Sequence, residues 1–398
     1  MREGLPNDFD PLASETFDSP YDLYARLRRE CPVAHTHAWG GVWALSKYDD
    51  VRAAASDWNT FITSVQNVVP KVAFTGRRPP LHLDPPEHTP YRLALNPLLN
   101  EEKAAPFEAP IRQFCGELLE PLIARGEGDI CGEFSSHLPI YVFAEWMRMP
   151  PALVEDLRKV GRDYNVAVQS NDVAITKETS LRLYAMARGL IDLRKREPMD
   201  PADDPTSALL AARHNGEPLP DELIIGCVRQ VLVVGIIAPT VVIGSICVHL
   251  SRDQALQQQL RADPSLIPAA LEEFLRLYTP YRGFARTAAR EVEIRGCPIK
   301  PGEPIALMYA SANRDEDIFP DADRFNMSRP NIKDHLAFGR GPHHCPGAPL
   351  ARLQLRVALE ELLARTTRFD LNGPIRPTRF PEIGALEVPL RFTPASKN

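Results

Sequence analysis

Apolar residues recur at helical spacing along most of the chain. Residues 20–30 and 47–56 read as amphipathic helices on either side of Val42 to Ser46, a short apolar run that fits a strand. Helical patterns return at 87–98, 107–124, 150–165 and 178–195. Between Thr63 and Pro86 the periodicity gives way to a stretch rich in proline and glycine, which predicts a long loop of the kind that usually carries function. The longest pattern spans 220–252 and opens on Pro220-Asp221-Glu222, a favourable helix start. Its centre, VLVVGIIAPTVVIGSICV, approaches the length of a membrane span. It stands alone and contains Gly235, Pro239 and Gly244, so it is expected to be a buried central helix crossing the whole domain. A helix at 264–277, strands at 291–295 and 304–308, an irregular stretch at 311–342, a helix at 346–365 and a strand-rich tail complete the chain. The absence of βαβ alternation excludes Rossmann and TIM-barrel architectures. The expectation is a mainly α fold with small β-sheets, with residues 1–398 as a single domain.

Composition narrows the class. Apolar residues make up 44% and charged residues 25%, which excludes a disordered chain, a collagen-like fibre and a disulfide miniprotein. The net charge of −6 supplies no general basic field for nucleic acid. The 7 cysteines include no CxxC pair, which favours a reducing compartment over a zinc ribbon or a disulfide framework. The first residues lack a basic segment followed by an apolar run, so a cytoplasmic protein without a membrane anchor is expected. The 39 prolines predict many helices stopped by rigid loops.

The strongest chemical signal is Phe338-Gly339-Arg340-Gly341-Pro342-His343-His344-Cys345-Pro346-Gly347. A glycine–proline turn presents a cysteine just before a helix, where backbone N–H groups and the positive helix end favour thiolate. A lone cysteine beside a glycine turn is more often a buried structural residue, but the whole arrangement is far more specific. It resembles the ligand loop of the cytochrome P450 family. That resemblance implies the family's fold, with haem b (iron protoporphyrin IX) between the long central helix and the cysteine loop and helix. It implies that Cys345 is the axial iron ligand, that His343 contacts a propionate, that Phe338 packs near the sulfur and that Gly347 completes the loop.

Other stretches match the same family in order. Glu273-Phe274-Leu275-Arg276 has the family's Glu-x-x-Arg spacing. Such a pair alone is commonly a surface salt bridge; the resemblance implies instead a buried structural network with the irregular stretch that follows. His88 and Arg92, four residues apart on one helical face, fit donors to an anionic propionate, and Arg286 joins them by resemblance. The resemblance also points to Val69, Phe74, Ile236, Ile237, Arg282, Phe284 and Ile383 as substrate-pocket residues. Arg282 sits in a turn that is usually apolar; either it reaches solvent or a propionate, or it marks an acidic or polar carbonyl-bearing substrate.

The central helix departs from the family. Aligning Gly235 with the family's glycine puts Ile237 and Ala238 where an acid and an alcohol normally deliver protons. Pro239 has no N–H for the carbonyl of Gly235, so a water on that carbonyl, supported by Thr240, is the expected substitute. The implied activity is insertion of one atom of O₂ into a small organic substrate, with electrons from a separate ferredoxin and ferredoxin reductase docking near Arg340, Arg352 and Arg356. Peroxide-driven oxidation or another non-standard reaction of the same fold, and a non-catalytic haem-based ligand sensor, are the alternatives.

Overall fold

A computed structural model describes residues 5–13, 19–71, 75–170, 172–282, 284–378 and 381–396. The longer helices are α1 (Tyr21–Glu30), α2 (Tyr48–Ser56), α3 (Thr89–Leu95), α4 (Glu108–Arg125), α5 (Leu138–Trp146) and α6 (Pro151–Gln169). They continue with α7 (Val173–Arg196), α8 (Asp221–Val234), α9 (Ile237–Arg252), α10 (Gln254–Ala262), α11 (Ile267–Leu277) and α12 (Ala348–Arg365). Strands β1 (Val33–Thr36), β2 (Val42–Leu45), β3 (Phe61–Ile62), β6 (Pro304–Leu307) and β5 (Phe284–Ala288) form one sheet in the order β1-β2-β6-β5-β3. A second sheet joins β7 (Thr366–Leu371), β8 (Pro389–Pro394) and β4 (Glu127–Asp129) in the order β7-β8-β4. Helices with small sheets are the architecture that the apolar periodicity predicts.

The central helix is not continuous. Asp221 and Glu222 open α8 where negative charge complements the helix dipole, and the run from Ile224 to Val233 is buried. The helix then ends at Gly235, whose φ of −94° and ψ of 8° leave the helical region, and α9 begins at Ile237. Pro239 therefore lies in the first turn of a new helix, where backbone N–H groups have no partner within the helix and the proline ring breaks no ladder bond. Gly235 also permits a close crossing: a Cβ added there would overlap the ring of Phe143 on α5. The expected single helix is thus two, joined at the crossing with α5. The stretch Asp221–Arg252 has the length and apolarity to cross a membrane, yet 72% of its most apolar window is buried within the fold.

Several other differences have local causes. In α5 the buried residues include Leu138, Ile140, Val142, Ala144 and Trp146, an alternation that carries no helical signature in the sequence. Helix α7 starts earlier than its leucine repeat, because Asp172 caps it by accepting a bond from the backbone N–H of Ile175. The loop between Thr63 and Pro86 contains neither helix nor strand among its described residues.

Candidate active site

The cysteine loop is built by glycines. Gly339 and Gly341 both adopt φ of 70°, and a Cβ on Gly341 would overlap the carbonyl of Ala55, so this glycine lets the loop lie against the end of α2. The Cys345 N–H donates to the Phe338 carbonyl at 2.8 Å, closing the turn just before α12. Burial pushes the Cys345 thiol up, while the Gly347 N–H and the charges of Arg92 and Arg352 favour its thiolate. A metal cation on the sulfur adds the charge that deprotonates it outright. Phe338 carries the Arg352 guanidinium 4.5 Å over its ring centre.

The four expected propionate-binding residues come together. His88 and His343 lie 4.6 Å apart between ring centres, and the charges acting on His343 are those of Arg286, Asp84 and Arg92. The His343 Nε2 is 3.2 Å from the Thr63 hydroxyl and 3.9 Å from Asp84. Asp84 in turn accepts the backbone N–H groups of Thr63 and Ser64. Burial opposes ionisation of Asp84, but the nearby His343 and the hydrogen bonds from Ser64 and Thr63 prevail and hold its carboxyl well below the usual range. Arg286, at the middle of β5, donates one bond to its neighbour's carbonyl and approaches Tyr309. His88 is buried, and neither ring nitrogen makes a well-formed hydrogen bond. Burial, His343 and Arg92 push its pKa down to about 3. A thiol ligand beside an excess of cationic and neutral donors fits a metal macrocycle with two carboxylates.

On the central helices the open position is one that the sequence reading passed over. Val234 is 48% exposed beside buried Val233, and Ala238, four residues on, is partly exposed, so these side chains front open space. Thr240 faces elsewhere. Its hydroxyl lies 2.8 Å from the carbonyls of Ser135 and Ile236, and the Ser135 hydroxyl returns a bond to the Thr240 carbonyl at 3.2 Å. It is held against the π-helical turn Cys131–Ser135. Ile236 and Ile237 line a cavity of about 420 Å³ together with His137, Arg162, Gln169 and Thr240.

The remaining pocket residues lie apart from that cavity. Val69 and Ile383 are buried in one small apolar cluster, and Phe284 packs against Tyr281 at 4.6 Å between ring centres. Phe74 falls outside the described residues. Arg282 is 2% exposed; its Nε donates to the Glu382 carbonyl at 2.8 Å and its Nη2 to the Thr378 carbonyl at 3.3 Å, with Tyr24 close by. Its guanidinium ties the tail to the β5 turn, which corrects its expected role as a receptor for an acidic substrate.

Glu273 and Arg276 form a buried network. Both side chains are fully buried and are joined by hydrogen bonds of 2.7 and 2.8 Å. Arg276 also donates to the carbonyls of Asn313 and Ala322, and Arg329 donates to Glu273 at 3.0 Å. A solvated surface pair is thereby excluded. The adjacent Glu272 binds His335 and both Nε and Nη2 of Arg352. Of the arginines expected on the docking face, Arg352 is thus paired, Arg356 is paired with Glu108 and Glu360, and Arg340 is exposed.

A buried cysteine in a glycine loop just before α12, with His88, Arg92, Arg286 and His343 gathered together, is the arrangement expected of a haem-thiolate oxidoreductase. Residues 204–383 match the family model described as cytochrome P450. The chain is 33% identical to the mycinamicin IV hydroxylase/epoxidase of Micromonospora griseorubida, over 93% of this chain and 94% of that protein. It is 31% identical to the linalool 8-monooxygenase of Pseudomonas putida, over 90% and 91%. The fold is similar to a solved cytochrome P450 from Chondromyces apiculatus, with a TM-score of 0.87, 31% identity and coverage of 97% and 98%. The chain belongs to the cytochrome P450 family and is a monooxygenase-type enzyme whose cofactor is a haem.

Proposed function

We propose that this enzyme holds haem b through Cys345 and inserts one atom of O₂ into a small organic substrate in the cytoplasm, with electrons from a separate ferredoxin and its reductase. The cysteine loop supports the reading: the Phe338 carbonyl closes the turn, and the Gly347 N–H and the charges of Arg92 and Arg352 favour a thiolate at Cys345 just before α12. When bound, the haem supplies oxygen activation, with the thiolate as electron donor to the iron. His88, Arg92, Arg286 and His343 orient it by binding its carboxylates. Relatives named as hydroxylase, epoxidase and monooxygenase support the reaction class.

Protons need a route other than a side chain at 237 or 238, because Ile237 and Ala238 cannot donate. The hydroxyl of Thr240 is engaged with Ser135 and Ile236, which leaves a water on the Gly235 carbonyl or a hydroxyl of the substrate itself as the donor. The same feature favours a second reading, peroxide-driven oxidation, in which the oxidant brings its own protons.

Reduced protein under carbon monoxide is expected to show the red-shifted Soret band of a thiolate ligand, and Cys345→Ser or Cys345→His to lose it. A wild-type protein that binds haem but lacks this band would overturn the assignment. Turnover with NAD(P)H and redox proteins, compared with turnover on hydrogen peroxide alone, separates the two readings.

A further inference from the structure

Where the loop before α3 meets α8, the molecule buries two arginines without acids. Arg229 lies fully buried in the middle of α8, and its Nε and Nη1 have no hydrogen-bond partner among the described residues. Its Nη2 donates to the Ser180 hydroxyl of α7 at 2.8 Å. The guanidinium carbon lies 5.0 Å from the ring centre of Tyr164 on α6 and 5.8 Å from that of Tyr184 on α7. Arg78, 8% exposed, reaches in from the loop; its Nη2 contacts the His82 ring at 3.2 Å and its Nε is without a partner. Glu222, on the same helix as Arg229, pairs with Arg188 at 3.1 Å instead.

The Tyr164 and Tyr184 rings flank the Arg229 guanidinium, its Nη2 is bonded to Ser180 and both arginines approach the Tyr164 hydroxyl, but Nε and Nη1 of Arg229 and Nε of Arg78 make no well-formed hydrogen bond, and such donors grip a carboxylate. Burial and the like charge of Arg229 both push Arg78 down, and for Tyr164 the two arginines outweigh the opposing effect of burial and lower its phenol. The site is positively charged, unneutralised and built from four separate elements. Its closeness is also specified by sequence: a Cβ on Gly226, one turn before Arg229, would overlap the Arg77 carbonyl and push the loop off the helix. Arg229 precedes Val234, which fronts the open space on α8, by five residues, about 7.5 Å along the axis and roughly 140° round it.

We infer that Arg78 and Arg229 anchor the carboxylate of an organic acid substrate. This rests on the monooxygenase reading above and names its substrate class. The acid lies with its carboxylate between the loop, α6, α7 and α8 and its apolar body along α8 toward Val234 and Ala238, so oxidation falls several carbons from the carboxylate.

The test is titration of ferric holoenzyme with straight-chain acids from octanoic to tetradecanoic and with their methyl esters, read by the Soret shift and by the thermal midpoint. At least one acid is expected to bind more than about tenfold tighter than its ester. Arg229→Met and, separately, Arg78→Met should bring acid and ester to similar affinity, while Arg229→Lys keeps part of the preference. Without ligand, Arg229→Met should raise the thermal midpoint, because it removes an unpaired buried charge. No acid binding in wild type, equal acid and ester affinities, or an undiminished acid preference in both methionine variants would overturn the inference. The carbon monoxide band keeps the two proposals apart: its loss in wild type removes the monooxygenase reading, whereas an intact band without acid preference removes only the anchor.

Discussion

Glu272 and Glu273 are sequence neighbours with different duties. Glu273 neutralises buried Arg276 and Arg329, whereas Glu272 reaches from α11 to Arg352 on α12 and to His335. Burial alone would raise the pKa of Glu272, but the hydrogen bonds from His335 and Arg352 prevail and hold it at about 2. A carboxyl depressed on folding contributes stability above its unfolded value of about 4.5, and that contribution is lost as pH falls through about 2. Glu272→Gln is therefore expected to cost about 1–3 kcal/mol at neutral pH, a range that allows for screening of half-exposed Arg352, and to flatten the acid limb of stability against pH. Identical limbs for variant and wild type in urea unfolding at a series of pH values would refute this. At this scale the sequence is an uneven guide. Cys345, His343, His88 and Arg92 sit in motifs whose spacing reports their contacts. Arg282 and Arg229 do not, because a guanidinium's role depends on which carbonyls, rings and acids other elements bring to it. The sequence reading passed over Arg229, although an arginine amid the apolar residues of a buried helix is a visible anomaly.

At the scale of elements, the break between α8 and α9 is set by the crossing with α5. Gly235→Ala would push a methyl group into the Phe143 ring, with an expected cost of about 1–3 kcal/mol. Phe143→Ala is destabilising alone through lost packing, but the double variant should be more stable than the sum of the single effects. Additive effects in thermal or urea unfolding would mean that the two residues do not meet. The existence of most helices was legible because one face of each is apolar. The break was not: Gly235 and Pro239 are tolerated in helices, and the ring that makes glycine obligatory comes from a helix whose own alternating pattern concealed it.

At the scale of the molecule, the family's order of elements was readable nearly from end to end, since the cysteine loop, the Glu273–Arg276 pair and the His88–Arg92 pair each carry specific spacing. Which side of the central helices is left open was not readable, because Ile236, Ile237 and Thr240 are as apolar or small as Val234 and Ala238 and only the packing of α5 and α6 separates them. The break has a further consequence for how the protein opens. The backbone bonds that flank it, from Ile236 to Val233 at 3.3 Å and from Thr240 to Ile236 at 3.5 Å, are long, and Pro239 contributes no donor. This long, largely buried apolar segment thus has its weakest link near its midpoint, so α8 and α9 can unfold locally as separate units. In hydrogen–deuterium exchange the amides of residues 236–238 and 240 should exchange well ahead of those in 224–233 and 243–250, and uniform protection across 221–252 would mean that the halves open only together.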